Sequence, residues 1–432
     1  MKYVVIVPRW FGLLAILWAA TLLAAEPAVA EPPAGEWSTS TRQITFGPQH
    51  HFFGYFGHVR TIPWNASGRY LVALQTDFQE RMPKPGEAAD IVLLDAQNDY
   101  AVSVVDRTRA WNFQQGTMFY WNPQAPETQF FFNDRDPETH EVFCVLFDTS
   151  KGKHGERIAE YRFSDTPIGN GGVAQRGGWF LGINYGRLAR LRPVTGYPGV
   201  RDWTAEPSDS SAADGVFKIN VVTKQKQLLV SFKQLADVLR TKYPTVDENE
   251  LFINHTLWSR NDERIFFFAR SGFDRKVTRI DAPFVMNADG SNLQPLALHI
   301  GGHPEWESDR RLIGVRGNEQ ILFDVEEQKV VGTIGPAGLF PKPGGDIALS
   351  ADGRWFINGH GDKGKNYYTL FRRADGAYSR TSGFNQGGYT AGELRIDPSP
   401  NWNRDGTQFL SVAVDGKGTR QIFVTTIADK GR

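Results

Sequence analysis

Apolar and polar positions recur in one pattern along most of the chain. An aromatic or aliphatic anchor is followed by a tight polar turn and then by a run of large apolar residues. Seven segments follow this pattern, and their anchors are Trp64, Trp121, Val173, Trp258, Trp306, Leu349 and Trp402. The copies at Leu349 and Trp402 carry Asp-Gly in the turn, which is typical of hairpins. Each copy therefore predicts a strand, a hairpin turn and a second strand.

The spacing of the anchors predicts the fold class. Most steps lie near the roughly 40–50 residues that a four-stranded propeller blade needs. We therefore expect an all-β protein, a seven-bladed β-propeller. One step, from Val173 to Trp258, is longer. It holds a loop rich in Gly, Pro and Arg at residues 186–214 and a predicted helix at residues 231–242, with Ser231 as its N-cap.

The two ends of the chain predict how the ring closes. Residues 41–46 have strand character but no hairpin partner nearby. Residues 420–427 form a third strand of the last blade, and no fourth strand follows them. Because an incomplete blade would leave an open sheet edge, we expect the N-terminal strand to complete the last blade. The propeller would then span residues 41–432, after a linker at residues 31–40.

Residues 1–30 are predicted to be a signal peptide. Lys2 and Arg9 form a positive start, residues 11–25 form an apolar core, and residues 28–30 form a small-residue cleavage site. A membrane anchor is the alternative, but the apolar run is shorter than the roughly 20 residues that span a bilayer. We expect a periplasmic or secreted protein with no membrane partner after cleavage.

Composition narrows the classes of partner. Lys plus Arg and Asp plus Glu both number 48, which favours neither nucleic acid nor an anionic membrane. The one cysteine, Cys144, cannot form an internal disulfide, and its apolar surroundings predict a buried, inert thiol. Stability is then expected from packing of the 12 Trp and 30 Phe residues between blades.

The repeat places three candidate metal ligands at equivalent positions. Three residues before successive anchors stand His255, His303 and Asp346, and the next equivalent residue is Ser399. Two imidazoles and a carboxylate on neighbouring strands suit a divalent metal such as zinc or manganese. The alternative is that they are solvated polar residues in a wet channel.

A second candidate set lies in the long insertion and is cationic and aromatic. It consists of Asn184, Tyr185, Arg187, Arg190, Arg192, Tyr197 and Arg201. Guanidinium groups bind carboxylates bidentately, and tyrosines stack on sugars or exchange protons. The alternative is a basic loop paired with the acidic residues that follow at once, Asp202, Glu206 and Asp209.

Several short motifs carry a resemblance to a known family. They are Phe53-Gly54-Tyr55-Phe56 with Pro63-Trp64-Asn65, Asn112-Phe113-Gln114-Gln115-Gly116, Phe132-Asn133-Asp134, Asn184-Tyr185-Gly186-Arg187-Leu188 with Arg201, and Ile253-Asn254-His255. With these motifs the chain resembles the seven-bladed polysaccharide lyases, the ulvan lyases and oligogalacturonate lyases. The resemblance covers nearly the whole mature chain.

The resemblance implies β-elimination on an acidic poly- or oligosaccharide that contains uronic acid. Tyr185 would act as base and acid, Arg201 would neutralise the substrate carboxylate, and His140 would contact substrate or transfer a proton. Tyr185 would need an adjacent positive charge, because tyrosine ordinarily ionises near pH 10. The motif residues expected to bind substrate are Gln115, Asn133, Asn184, Arg187 and Asn254.

The chain also departs from that family. Phe113, Gln114 and Gln115 stand near the place of a second family histidine, and glutamine cannot exchange a proton. Where the relatives draw further metal ligands, this chain has Ile396 and Ser399 beside Asp346. The alternative function is therefore a non-catalytic propeller, in the manner of TolB-like periplasmic propellers, that binds a glycan or protein partner through the same mouth.

Overall fold

The computed structural model describes Met1 and residues 37–54, 62–205, 210–273 and 277–429. The predicted signal peptide lies outside these residues, apart from Met1. Tyr55 and Phe56 of the first family motif also lie outside them, as do Glu206 and Asp209. In the described part of the chain, no helix is long and apolar enough to cross a membrane.

The described strands form seven antiparallel sheets, which we number as blades in chain order. Strand β1 (Trp37–Gln43) comes first in the chain and belongs to blade 7. Blade 1 contains β2 (His50–Phe52), β3 (Tyr70–Thr76), β4 (Ala89–Asp95) and β5 (Ala101–Thr108). Blade 2 contains β6 (Tyr120–Trp121), β7 (Gln129–Arg135), β8 (Val142–Asp148) and β9 (Glu156–Tyr161). Blade 3 contains β10 (Gly169–Val173), β11 (Trp179–Ile183), β12 (Gly215–Asn220) and β13 (Lys226–Ser231).

The second half of the ring repeats this arrangement. Blade 4 contains β14 (Phe252–Trp258), β15 (Arg264–Ser271), β16 (Ile280–Asn287) and β17 (Gln294–Pro295). Blade 5 contains β18 (Gly301–Trp306), β19 (Arg311–Arg316), β20 (Glu319–Asp324) and β21 (Lys329–Thr333). Blade 6 contains β22 (Ile347–Leu349), β23 (Trp355–Asp362), β24 (Lys365–Arg372) and β25 (Tyr378–Arg380), with β26 (Phe384–Asn385) also pairing β24. Blade 7 contains β27 (Asn401–Trp402), β28 (Gln408–Val414), β29 (Arg420–Asp429) and β1.

The two ends of the chain close the ring, as predicted. β1 pairs antiparallel with β29, with Trp37 opposite Asp429 and Gln43 opposite Phe423. The strand begins at Trp37 and ends at Gln43, so residues 37–40, which were expected to be linker, belong to the sheet. The reason is that β29 extends to Asp429, two residues beyond the predicted end, and offers partners for the earlier residues.

The tryptophan anchors recur because each joins neighbouring blades. Their indole N–H groups donate to a backbone carbonyl of the preceding blade or of the segment leading into its second strand. These bonds run from Trp121 to Pro63 (2.8 Å), Trp258 to Gly172 (3.1 Å), Trp306 to Leu257 (3.2 Å) and Trp402 to Ala348 (3.2 Å). All four side chains are buried. Each anchor therefore combines apolar packing with a satisfied polar group, the usual arrangement for buried tryptophan.

The described part of the insertion carries two α-helices, of which one was predicted. Helix α2 (Phe232–Leu239) begins after Ser231, whose hydroxyl accepts from the Gln234 backbone N–H at 3.2 Å. Helix α1 (Tyr185–Leu191) lies in the region predicted to be loop and begins after Asn184, whose side chain caps it. Two short 3-10 helices complete the insertion, at Ser210–Ala212 and Val246–Glu248.

Candidate functional site

The three predicted metal ligands meet near the axis of the ring. His255 lies in β14, His303 in β18, and Asp346 directly before β22. The Nδ1 atom of His303 lies 2.6 Å from Oδ1 of Asp346. The imidazole rings of His303 and His255 lie edge to face, with centroids 5.6 Å apart. The first strands of blades 4, 5 and 6 thus bring these side chains together, as their common position in the repeat predicts.

A second carboxylate, Asp397, completes what we call the axial cluster: His255, His303, Asp346 and Asp397. Burial raises the pKa of Asp397, and the negative charge of Asp346 raises it further. The Arg395 guanidinium, 2.7 Å from an Asp397 oxygen, acts in the opposite direction. Sequence reasoning missed Asp397 because the repeat pointed to Ser399, two residues later.

His303 and Asp346 form an imidazole–carboxylate dyad. The His303 side chain is 32% exposed, while that of Asp346 is only 3% exposed. Burial by itself lowers the pKa of His303, but the charge and hydrogen bond of Asp346 outweigh it and leave the pKa above its usual value. A carboxylate behind a partly exposed imidazole fixes the orientation of the ring and stabilises its protonated form.

The axial cluster does not fit a preformed metal site. The Nδ1 atom of His303 lies at hydrogen-bond distance from Asp346, so this nitrogen is not open to a metal. Among the described residues, no group of three or more His, Cys, Asp or Glu side chains has the arrangement of a metal site. His255, His303 and Asp346 therefore meet as a dyad beside a second imidazole, and zinc or manganese binding stays a prediction.

His255 is held in an unusual backbone conformation. Its φ angle is +56°, in the left-handed region that non-glycine residues seldom adopt. It lies within a bulge, where the pairing between β14 and β15 shifts between Asn254 and Leu257. Bulges often redirect a side chain next to a functional site. Here the His255 ring lies edge to face with His303.

The surroundings of Tyr185 do not suit the catalytic base that the family resemblance implies. The residue is 1% exposed, its hydroxyl donates to the Asn170 carbonyl at 3.0 Å, and its ring stacks on Tyr197 with centroids 4.4 Å apart. Burial raises its pKa well above the ordinary value, and the neighbouring tyrosines raise it further. A base would need a cation that lowers the pKa instead.

Arg201 and His140 are joined through their backbones, and their side chains lie on the surface. The Arg201 N–H donates to the His140 carbonyl at 2.8 Å. The Arg201 guanidinium, 58% exposed, lies 3.1 Å from an oxygen of Glu141, and His140 is exposed. A Cβ at Gly186 would overlap the Arg201 carbonyl, so the motif glycine lets its own backbone pack closely against the backbone of Arg201. The motif around Tyr185 and the segment at Arg201 are therefore in contact through their backbones, while the Arg201 side chain pairs with Glu141.

Two of the expected substrate-binding residues are bonded inside the insertion. Asn184 caps α1 and donates to both Asp202 and Asp214. Arg187 is 7% exposed and donates from Nη1 to Thr204 at 3.0 Å. Its guanidinium also lies over a phenylalanine ring. These polar atoms therefore bond to other residues of the insertion.

The other three expected contacts are also buried. Asn133 is fully buried and donates to the Asn170 carbonyl at 2.9 Å and to the Tyr197 hydroxyl at 3.0 Å. Asn254, 4% exposed, accepts from Arg270 at 2.9 Å. Gln115 is 7% exposed. The motifs therefore mark structural contacts, and the expectation of direct substrate contact through these five side chains does not fit their burial.

Two of the motif glycines bring blades 1 and 2 together. Gly54 has a φ angle of +77°, and a Cβ there would overlap the backbone nitrogen of Gly116. The chain around Phe53 therefore lies directly against the chain around Gln115. This close approach borders a cavity next to Asp397, which the sequence did not predict.

Comparisons with known proteins gave matches of low sequence identity among solved structures. No family model and no curated protein matches this sequence. Among solved structures, TolB from Acinetobacter baumannii is 12% identical over 84% of this chain and 81% of its own, with a TM-score of 0.39. A putative TolB from Agrobacterium tumefaciens is 11% identical over 91% and 99%, with a TM-score of 0.39. The β-propeller domain of the Trilobed protease from Pyrococcus furiosus is 10% identical over 87% and 95%, with a TM-score of 0.40. The chain itself, with its seven sheets, is a seven-bladed β-propeller closed by its N-terminal strand.

Proposed function

We propose that this protein is an exported lyase that cleaves uronic-acid glycans by β-elimination, with His303 of the axial cluster as its base. The observation that carries the proposal is the 2.6 Å contact between His303 and Asp346, with the imidazole 32% exposed. The substrate class comes from the resemblance of the sequence to the propeller lyases. The base is reassigned because the Tyr185 hydroxyl is buried and its pKa is raised.

The chemistry needs a base and an acid on one sugar ring. His303 takes the proton from C5, the electrons form the C4–C5 double bond, and the bond between C4 and the glycosidic oxygen breaks. Asp346 holds the imidazole in position and stabilises the imidazolium that results. In this proposal Asp397, whose pKa is raised by burial and by Asp346, returns a proton to the leaving oxygen.

A second candidate function is a non-catalytic propeller that binds a glycan or protein partner near the axial cluster. The observation that favours it is the burial of the family's tyrosine. If the active site of the lyases has become a structural core here, binding would remain without turnover. Both candidates use the same face of the ring, so they differ in chemistry rather than in location.

The test follows the ultraviolet absorbance of the unsaturated uronate product. Ulvan, pectin fragments and glucuronans are offered to the wild-type protein, to His303→Gln and to Tyr185→Phe. We expect product from at least one glycan with the wild-type protein and with Tyr185→Phe, and none with His303→Gln. Glycan binding without product across the whole panel would reject the lyase and favour the binding propeller.

A further inference from the structure

We propose that the ring has a second binding site, for the C-terminal residue of a peptide, at the mouth opposite the axial cluster. There Arg404 binds the terminal carboxylate, an apolar wall receives the side chain, and Gln175 pairs with the last peptide group. His303 stands three residues before its anchor, Trp306. Residues after the anchors therefore lie roughly 10 Å or more farther along the strands, at what we call the end mouth. This site is separate from the proposed lyase chemistry.

The end mouth contains a cavity of about 330 Å³. Residues from five blades line it, and they include Ile62, Trp121, Val173, Gln175, Ala351 and Arg404. Because blades 1, 2, 3, 6 and 7 can meet only around the axis, the cavity is the second opening of the central channel. Its volume lies near the lower end of the roughly 300–1,000 Å³ that small-ligand pockets have. It therefore suits a group about as large as one amino-acid residue.

The repeat gives the end mouth a positive character. The residues two places after the seven anchors are Ala66, Pro123, Gln175, Arg260, Ser308, Ala351 and Arg404. None of them is acidic, and two are arginine. Four of them line the cavity, namely Pro123, Gln175, Ala351 and Arg404. A concave site whose charged side chains at this level are cationic favours an anionic ligand.

Arg404 is held in place by backbone carbonyls. Its Nε donates to the Asn65 carbonyl at 3.0 Å and its Nη2 to the Trp64 carbonyl at 3.1 Å. Among the described residues, no carboxylate lies within ion-pair distance of Arg404. Glu127 acts on it from farther away and accepts from the N–H and the hydroxyl of Ser67, both at 2.8 Å. A ligand carboxylate would therefore meet a guanidinium that is already oriented and not paired with an acid.

Gln175 and the apolar wall indicate what accompanies the carboxylate. The Gln175 N–H donates to Asp262 at 2.6 Å, whereas its side-chain amide makes no hydrogen bond to any described residue. A side-chain amide can donate to and accept from one peptide group at the same time. Ile62, Trp121 and Val173 offer apolar surface to a side chain. A simple carboxylic acid has no group for Gln175, so a peptide carboxylate matches all three features.

The test is calorimetric titration with N-acetylphenylalanine, which carries a carboxylate, an apolar side chain and one amide group. Three related compounds each lack one of these. N-acetylphenylalanine amide lacks the charge, N-acetylglycine lacks the side chain, and 3-phenylpropionate lacks the amide group. We expect the wild-type protein to bind N-acetylphenylalanine at least tenfold more tightly than the first two and severalfold more tightly than 3-phenylpropionate.

Two variants remove the site in different ways. Arg404→Gln should lower the affinity for N-acetylphenylalanine at least tenfold and leave the affinity for its amide unchanged. Ala351→Trp keeps the charge but fills the cavity, and it should abolish binding of both. Ala351 is only half-buried, so the fold can accommodate the larger side chain.

The matched control is Arg260→Gln. Arg260 has the equivalent position in blade 4, and its Nε donates to the carbonyl of the next anchor, Trp306, at 3.1 Å. It lies outside the cavity, so we expect this variant to bind N-acetylphenylalanine like the wild-type protein. His303→Gln should also bind normally, because it changes the other mouth. Loss of the lyase activity and loss of this site can therefore be told apart.

The inference is overturned if the wild-type protein does not bind N-acetylphenylalanine, or if the amide or 3-phenylpropionate binds as tightly. Normal binding in folded Arg404→Gln or Ala351→Trp would also overturn it. Equal losses in Arg404→Gln and Arg260→Gln would do the same, because the cavity would then not be the site. If one of the two cavity variants fails to fold, the other decides.

Discussion

The insertion around Tyr185 and the axial cluster around His303 both hold titratable side chains, but these side chains differ in burial and in hydrogen bonding. In the insertion, the Tyr185 hydroxyl and the Arg187 guanidinium donate to acceptors within the protein and are buried. In the axial cluster, the His303 imidazole is 32% exposed and has the Asp346 carboxylate against it. The first arrangement places both groups in internal hydrogen bonds, and the second keeps a titratable imidazole partly exposed beside a carboxylate.

This difference indicates which kind of sequence signal is the better guide to the position of side chains in the fold. The insertion was singled out by a run of tyrosines and arginines that resembles a catalytic motif. The axial cluster was singled out by a position in the repeat, and the repeat follows from the fold itself. A motif predicts the function of its family only where the local backbone directs its side chains as it does in that family. Here α1 begins at Tyr185, and the Tyr185 ring stacks on Tyr197.

The largest expected effect separates the two regions by activity. His303→Gln should lower turnover of the responsive glycan by about 10²–10⁴-fold, the usual contribution of a general base. Asp346→Asn should cause a smaller loss and shift the acidic limb of the pH–rate profile to lower pH, because Asp346 raises the pKa of His303. Tyr185→Phe should stay within threefold of the wild-type rate. A larger loss in Tyr185→Phe than in His303→Gln would reverse the comparison.

The second prediction tests the insertion by stability. Tyr185→Ala should lower the free energy of unfolding by about 3–5 kcal/mol, as expected for removing a large buried ring. Tyr185→Phe should cost only about 1 kcal/mol, the contribution of one hydrogen bond. Denaturant titration followed by fluorescence measures both. Equal stability of all three proteins would contradict a structural role for this side chain.

The third prediction concerns Glu305, which shares β18 with His303 and is 2% exposed. Burial raises its pKa from 4.5 to about 8, although its oxygen accepts from the Leu349 N–H at 2.9 Å. The folded form therefore holds a proton that the unfolded form releases, so the wild-type protein loses stability as the pH rises from about 4.5 to 8. Glu305→Gln should gain relative stability across that window, by about 5 kcal/mol at pH 9 if the full shift of the pKa is lost.

Melting temperatures of both proteins at pH 5, 7 and 9 measure this effect. The difference between them should grow with pH and level off above pH 8. A difference that stays constant with pH would show that Glu305 does not titrate in this range. His303→Gln provides the control on the same strand, because any change it causes in the pH dependence of the melting temperature should come from loss of the imidazole and not from Glu305.

The smallest expected effect is at Arg201. Its pair with Glu141 is exposed, and such pairs contribute about 0–1 kcal/mol. Arg201→Ala should therefore change the unfolding free energy by less than about 0.5 kcal/mol and leave turnover unchanged. Steady-state kinetics with the responsive glycan measure the second part. A loss of turnover of tenfold or more would instead support the mechanism in which Arg201 neutralises the substrate carboxylate and Tyr185 is the base.

The fold could be predicted from the sequence because its signals are local and repeated. Each tryptophan anchor precedes its own hairpin, and the strand left over at each end of the chain pointed to closure between them. His255, His303 and Asp346 could be found for the same reason, since each holds an equivalent place in its blade. The strand bounds shifted by a few residues where pairing with β29 decided them.

The remaining parts of the site depend on contacts between distant segments. Arg420 lines the cavity next to Asp397, and its guanidinium lies near the rings of Phe52, Phe113 and Tyr389, whose meeting no local pattern indicates. Asp397 lies in the segment before β27 and does not occupy the position that the repeat marks, which is Ser399. Its significance comes only from the charge of Asp346 across the blade boundary. Sequence reasoning finds residues on repeated positions and misses those that depend on how blades 1, 2 and 7 come together.

The pairing of β1 with β29 has a mechanical consequence. The strands run antiparallel over seven residue pairs, and Trp37 at the start of β1 pairs with Asp429 at the end of β29. A force that pulls those ends apart would peel the ladder from this pair inward, one bond at a time, instead of loading all the bonds in shear. Under such a force the ring would therefore open at its seam, beginning with the pair of Trp37 and Asp429.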